Sequence, residues 1–139
     1  PVYYNRRPRM GWYIDAPSEP LFPFGFGLSY TTFEYHNLTI HGMDVSIDIA
    51  NTGSRDGDEV VQLYIEPLIS ALTTPVKRLA DFKRVSVCAG ETKTLHFNLS
   101  RESFAVLDAD LVARVEPGEY RILVGRSSVD GSSAHLTID

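Results

Sequence analysis

From about residue 32 onward, apolar and polar residues alternate with a period of two, and turn-forming residues break the pattern every roughly 8–15 residues. The clearest run is Met43-Asp44-Val45-Ser46-Ile47-Asp48-Ile49. Side chains two apart share a face of an extended strand, so Met, Val and Ile line one side and Asp and Ser the other. Leu95-His96-Phe97-Asn98-Leu99 and Ala134-His135-Leu136-Thr137-Ile138 repeat the pattern. No stretch shows the 3.6-residue apolar spacing of an amphipathic helix of any length. A chain patterned this way buries its apolar faces by laying sheet on sheet.

The runs can be placed in order. Phe33-Glu34-Tyr35 opens an alternation that Leu38-Thr39-Ile40 continues one residue out of phase, which predicts a bulge near His36-Asn37. His41-Gly42 turns the chain, and Asn51-Thr52-Gly53-Ser54-Arg55-Asp56-Gly57 is a loop by composition. Residues 60–65 are apolar on both faces apart from Gln62, as a central strand requires. A longer loop follows at 67–75. Residues 78–87 read as a strand with a phase slip around Asp81-Phe82, and Ala89-Gly90 turns. Ser100 is placed to cap a short helical turn that runs through Arg101-Glu102 to Ser103-Phe104. Residues 111–115 read as a strand, Glu116-Pro117-Gly118-Glu119 as a turn and residues 120–125 as a strong strand. About seven or eight strands predict an all-β, antiparallel sandwich of immunoglobulin-like or fibronectin III-like layout. The paired cysteines of antibody domains are missing, and Trp12 falls outside the sandwich.

Residues 1–31 have another texture, rich in Pro, Gly, Arg and aromatics without periodicity, and form an irregular extension ahead of a sandwich at 32–139. The run Leu21-Phe22-Pro23-Phe24-Gly25-Phe26-Gly27-Leu28-Ser29-Tyr30-Thr31-Thr32-Phe33 holds five aromatics, two glycines and a proline. Neither a regular helix nor a plain strand accommodates that mixture. Its aromatics need a large surface to pack on, and the residues before it are too few to supply one. Phe22, Phe24, Phe26 and Tyr30 are therefore expected to be buried at a joint with a neighbouring domain. Trp12 and Tyr13 (or Tyr3-Tyr4) are read first as packing against a neighbouring domain or the base of the sandwich, with an aromatic platform for a sugar as the alternative.

Composition limits the rest. The chain has 139 residues, 43% of them hydrophobic, enough for one packed domain with an appendage. A net charge of −5 argues against a nucleic-acid partner, and the only basic cluster, Arg6-Arg7-Pro8-Arg9, reads as a solvated or neighbour-facing loop. No apolar run approaches the ~20 residues that span a bilayer, so no membrane partner is expected. The single cysteine, Cys88, rules out an internal disulfide, leaves the compartment open and is expected to be a small buried apolar residue. A start at Pro1-Val2-Tyr3-Tyr4 without Met is what an excised part of a longer protein would show.

Signs of chemistry are sparse. His36, His41, His96 and His135 are scattered, and Asp56-Gly57-Asp58-Glu59 lacks the spaced acidic ladder of a calcium loop. Ser127-Ser128 has no evident His partner, and Gly25-Phe26-Gly27 has Tyr30 where a dinucleotide loop needs its third Gly. Asp108 and Asp110 share a face if they lie on a strand, but a sandwich edge supplies no deep cleft for glycoside hydrolysis. Asn37-Leu38-Thr39 and Asn98-Leu99-Ser100 are glycosylation tripeptides that matter only on a eukaryotic secretory route.

A series of short motifs carries a resemblance. The run from Pro20 through Phe33 is followed by Asn51-Thr52-Gly53, Gly57-Asp58-Glu59-Val60-Val61-Gln62-Leu63-Tyr64 and Pro75-Val76-Lys77-Arg78-Leu79 with Phe82-Lys83-Arg84-Val85. Ala89-Gly90-Glu91-Thr92, Pro117-Gly118-Glu119-Tyr120 and Val124-Gly125-Arg126-Ser127-Ser128 complete it. In this order they resemble the C-terminal fibronectin III-like domain of glycoside hydrolase family 3 enzymes, together with the segment joining it to the preceding α/β domain. The stretch from Tyr3-Tyr4-Asn5 to Tyr13-Ile14-Asp15 is similar to the linker after that domain.

The family consists mostly of β-glucosidases, β-xylosidases and related exo-acting enzymes. They use a retaining mechanism with an Asp nucleophile on an N-terminal barrel and an acid/base residue from the barrel or the α/β domain. The resemblance thus implies no catalytic, metal or cofactor residue in this chain and no cofactor for the reaction. It implies an accessory domain whose partners are the barrel and α/β domains of a parent enzyme. Recognition of an oligo- or polysaccharide, or of another subunit through the 67–75 loop, is the alternative role.

Overall fold

The computed structural model describes residues 20–68, 77–107 and 110–139. The expectations for Trp12, Tyr13, Tyr3-Tyr4, the arginine cluster, Asp108 and most of the 67–75 loop lie outside the described residues.

Two antiparallel sheets face each other. The first has three strands in the order β1 (Phe33–His41), β2 (Asp44–Asn51) and β5 (Thr92–Asn98). The second has four, in the order β4 (Arg78–Val87), β3 (Gly57–Pro67), β8 (Gly118–Gly125) and β9 (Gly131–Ile138). A small ribbon pairs β6 (Ala105–Leu107) with β7 (Ala113–Val115), after a 3-10 turn at Arg101–Phe104. The expected antiparallel sandwich is what forms.

Alternation sets which residues meet in the middle. Val45, Ile47 and Ile49 of β2 and Phe97 of β5 pack against Val61, Leu63 and Ile65 of β3 and Ile122 and Val124 of β8. Phe104 closes one side, its ring edge-on to Tyr120 with centroids 5.0 Å apart. Burying each such side chain contributes roughly 1.5–3 kcal/mol, which is why the polar faces of β2, β5 and β9 end up outside.

The phase slips also appear. The register of β1 and β2 shifts between His36 and Thr39, where Asn37 takes φ 52° in the left-handed region that Asn tolerates. On β4, Leu63 lies opposite Asp81 and Tyr64 opposite Leu79, so the extra residue is Ala80, one position before the expected slip. The Asp81 carboxylate accepts the Phe82 N–H at 2.8 Å there.

Three expectations need correction. Cys88 is exposed, not buried. Val87 is the last inward residue of β4, and the next position faces out. Negative charge at Asp56, and then the contact with Glu91, push its thiol up from the ordinary value. Residues 111–115 do not form one strand. Leu111 has φ 60°, which breaks the extended run, and only Ala113–Val115 pairs. Among the described residues the strands are nine rather than seven or eight, because β6 and β7 are three residues each and too short for a periodicity to register.

Candidate domain-docking site

Residues 20–31 form a strap over the outer face of the four-stranded sheet. Elsewhere that face meets water, yet Gln62 and Tyr64 on it are buried. The strap covers them. Gln62 Nε2 donates to the Gly25 carbonyl at 3.0 Å and to the Arg126 carbonyl at 2.8 Å. Its Oε1 accepts the Tyr64 hydroxyl at 2.5 Å. Gly25 has φ 80°, and a Cβ there would sit 2.1 Å from Gln62 Oε1, so only Gly both turns and fits.

The loop after β8 supplies a second tie. Ser128 N–H donates to the Phe24 carbonyl at 2.9 Å, and the Ser128 carbonyl accepts Lys77 Nζ at 2.5 Å. Phe26 N–H turns back on the Pro23 carbonyl at 3.1 Å. At the far end, Thr31 Oγ1 donates to Asn51 Oδ1 at 2.7 Å, and Thr52 N–H donates to the Thr32 carbonyl at 2.9 Å. Arg126 reaches the Phe33 carbonyl at 2.7 Å.

The strap is thus tied to the domain through its backbone and Thr31, while its large apolar side chains stay exposed. Phe22 is 61% exposed, Phe24 45%, Phe26 47%, Leu28 91% and Tyr30 95%. Phe22 and Phe26 pack on each other with centroids 5.0 Å apart. Val129, also exposed, lines with Phe26 and Leu28 a cleft of about 530 Å³ between the strap and Asp58, Val60 and Gln62 of β3. So many exposed apolar groups on one short segment make the strap the candidate docking surface of the described residues.

The acidic run beneath it is dispersed. Asp56 accepts Ala89 N–H at 2.8 Å, and Asp58 binds Arg84 and Ser86. The Ser86 hydroxyl first, and then Arg84, hold the Asp58 carboxyl below the usual range. Glu59 points inward and accepts the Tyr35 hydroxyl at 2.6 Å. Ser127 and Ser128 are buried, and Ser127 Oγ accepts the Asp130 N–H at 3.2 Å. Asp110 is exposed on the ribbon. Among the described residues, no group of His, Cys, Asp and Glu converges on a metal-sized point.

Burial, and then the hydrogen bond to Glu59, push the Tyr35 phenol well above its ordinary value of 10.0. Because the folded state favours the protonated phenol, its contribution is complete below pH 10 and declines as pH rises beyond it. Urea midpoints measured from pH 8 to 11 should fall steeply above about pH 10. Tyr35→Phe should flatten most of that limb, leaving the smaller part due to Tyr120, whose phenol burial and then Glu116 also raise.

Sequence reading named the aromatics but missed what seats them, namely Gln62, Ser128, Arg126 and Asn51. A signal existed for the first, the one polar residue in the apolar run 60–65.

The fibronectin type III-like domain family matches residues 59–128. This chain belongs to that family. The fibronectin III-like domain is 42% identical to a β-xylosidase of Formosa agariphila over 92% of this chain and 20% of that protein. It superposes on a Listeria innocua β-glucosidase solved with glucose at a TM-score of 0.88. That match has 32% identity and covers 98% of this chain and 22% of the other. A family 3 β-glucosidase of Bifidobacterium adolescentis gives 0.77 and 37%, over 84% and 18%. The resemblance to the fibronectin III-like part of family 3 glycoside hydrolases stands, and the chain spans about a fifth of the length of these relatives.

Proposed function

We propose that this domain is a non-catalytic accessory module of a longer family 3 glycoside hydrolase that removes terminal β-linked sugars, and that the strap is its joint with the preceding domains. The observation that carries the reading is the strap itself, with its backbone hydrogen-bonded to the sandwich and its aromatics turned outward. A surface loop with no partner gains nothing from exposing Phe22, Phe26, Leu28 and Tyr30 together. The relatives, named as β-glucosidases and β-xylosidases and about five times as long, supply a partner of the right kind.

The test compares three polypeptides on an aryl β-glucoside and an aryl β-xyloside: this chain alone, the chain joined to the coding sequence upstream, and that upstream part alone. The joined polypeptide should hydrolyse one of the two, the chain alone neither. The upstream part alone should melt lower and turn over less. Hydrolysis by the isolated chain at a comparable rate, or an upstream part equally stable and active without it, would refute the proposal.

A further inference from the structure

We infer that Gln62 is a positioning residue for the strap, holding it in its docking shape before any partner is present. The purpose assigned to that shape rests on the docking reading above; the seating itself does not. Every hydrogen-bonding group of the Gln62 amide is used. Its two N–H groups go to two backbone carbonyls, one on the strap and one on the loop after β8, and its oxygen takes the Tyr64 hydroxyl. A primary amide is the side chain that supplies two donors and an acceptor from one planar group. Glu in its place would turn a carboxylate toward two carbonyl oxygens, and Met would leave both carbonyls and the Tyr64 hydroxyl without this partner.

The fit fixes register as well as contact. Sliding the strap by one residue would bring Phe24 or Phe26 to the position where even a methyl group would overlap Gln62 and the Tyr64 hydroxyl, which lies 2.7 Å from a Cβ built on Gly25. The second anchor is equally tight, since a Cβ on Gly53 would lie 2.1 Å from Thr31 Oγ1. Between the anchors a Cβ built on Gly27 would meet nothing within 4 Å, so the strap spans the cleft loosely there and is held on either side of it. A partner therefore meets aromatics already in place, and binding need not first order the loop, which removes a cost that disordered segments bear.

Amide hydrogen exchange on the 139-residue chain tests this. Phe26 N–H and Ser128 N–H, bonded to Pro23 and Phe24, should be protected in the wild type. Gln62→Met and Gln62→Glu at neutral pH should each cut that protection about tenfold or more, with Ile47 and Ile49 of β2 unchanged. Gln62→Glu should regain part of it below about pH 4, where a protonated carboxyl again offers a donor. Gly25→Ala, a change on the strap alone, should reproduce the loss with Ile47 and Ile49 again unchanged. Phe26 and Ser128 amides that exchange freely in the wild type, or that keep their protection in Gln62→Met and Gly25→Ala, would overturn the inference. Failure of the docking reading would leave these rates as they are and appear only in the longer polypeptide.

Discussion

Asn51→Leu lowers the stability of the isolated chain by about 3–4 kcal/mol, and Asn51→Asp by at least as much. The side chain is 1% exposed and makes four hydrogen bonds. Nδ2 donates to the carbonyls of Arg55 and Val87 at 2.8 and 2.9 Å, while Oδ1 accepts the Thr31 hydroxyl and the Gly53 N–H. Leu fills the space but leaves four partners without their bond, and each one sealed from water costs about 1–3 kcal/mol, summed less than additively. Asp is nearly isosteric, yet it sets a carboxylate against two carbonyls. The backbone of Asn51 also bonds Glu91 and Gly90, so the residue ties together the ends of β2, β4 and the strap. The melting temperature should fall by roughly 10–20 °C, read by circular dichroism, with the urea m-value unchanged. Thr31→Val, which deletes one of the four bonds, should cost about 1 kcal/mol. A shift under about 1 kcal/mol for both Asn51 variants would mean that the hub is not cooperative with the core.

What the residues disclosed, and what they hid, follows from the range of the forces involved. The strands of the sandwich are written locally, because a residue's neighbours two positions away decide which face it joins. Hence the bulge at Asn37 and the bilateral burial of residues 61–65 could be read directly. The ribbon of β6 and β7 could not, since three residues carry no period and Leu111 breaks the run with a backbone angle no pattern encodes. Cys88 was misread because composition favours burial of a lone thiol, while its position after Val87 decides otherwise. The candidate docking site divides the same way. Its aromatics stand out in the sequence because their density is odd. The groups that seat them are separated by long stretches of chain, Gly25 from Gln62 by 37 positions and Gln62 from Arg126 by 64; the pairing of β3 with β8 brings Gln62 to Arg126, and the strap folding back on β3 brings Gly25 to Gln62.

The outward side chains lead to a contrast between two polypeptides. In the isolated chain, the combined variant Phe22→Ser, Phe26→Ser, Tyr30→Ser should change the unfolding free energy by less than about 1 kcal/mol, since exposed rings contribute little beyond the contact of Phe22 with Phe26. In the polypeptide extended upstream the same variant should weaken the joint by about 3–6 kcal/mol. The size follows from the area left to bury. Tyr30 has nearly all its surface to give, Phe22 somewhat over half and Phe26 about half, together equal to two full rings at about 1.5–3 kcal/mol each. Calorimetry reads the difference. The extended wild type should melt in one transition, and the variant in two, the later or earlier one matching the isolated chain. Two transitions already present in the wild type, or one that persists in the variant, would show that these rings do not form the joint. An equal loss in both polypeptides would place their role inside the fibronectin III-like domain instead. Only the docking reading predicts an effect that appears in the upstream-extended polypeptide and not in the isolated chain, because only there would the rings have a surface to lose.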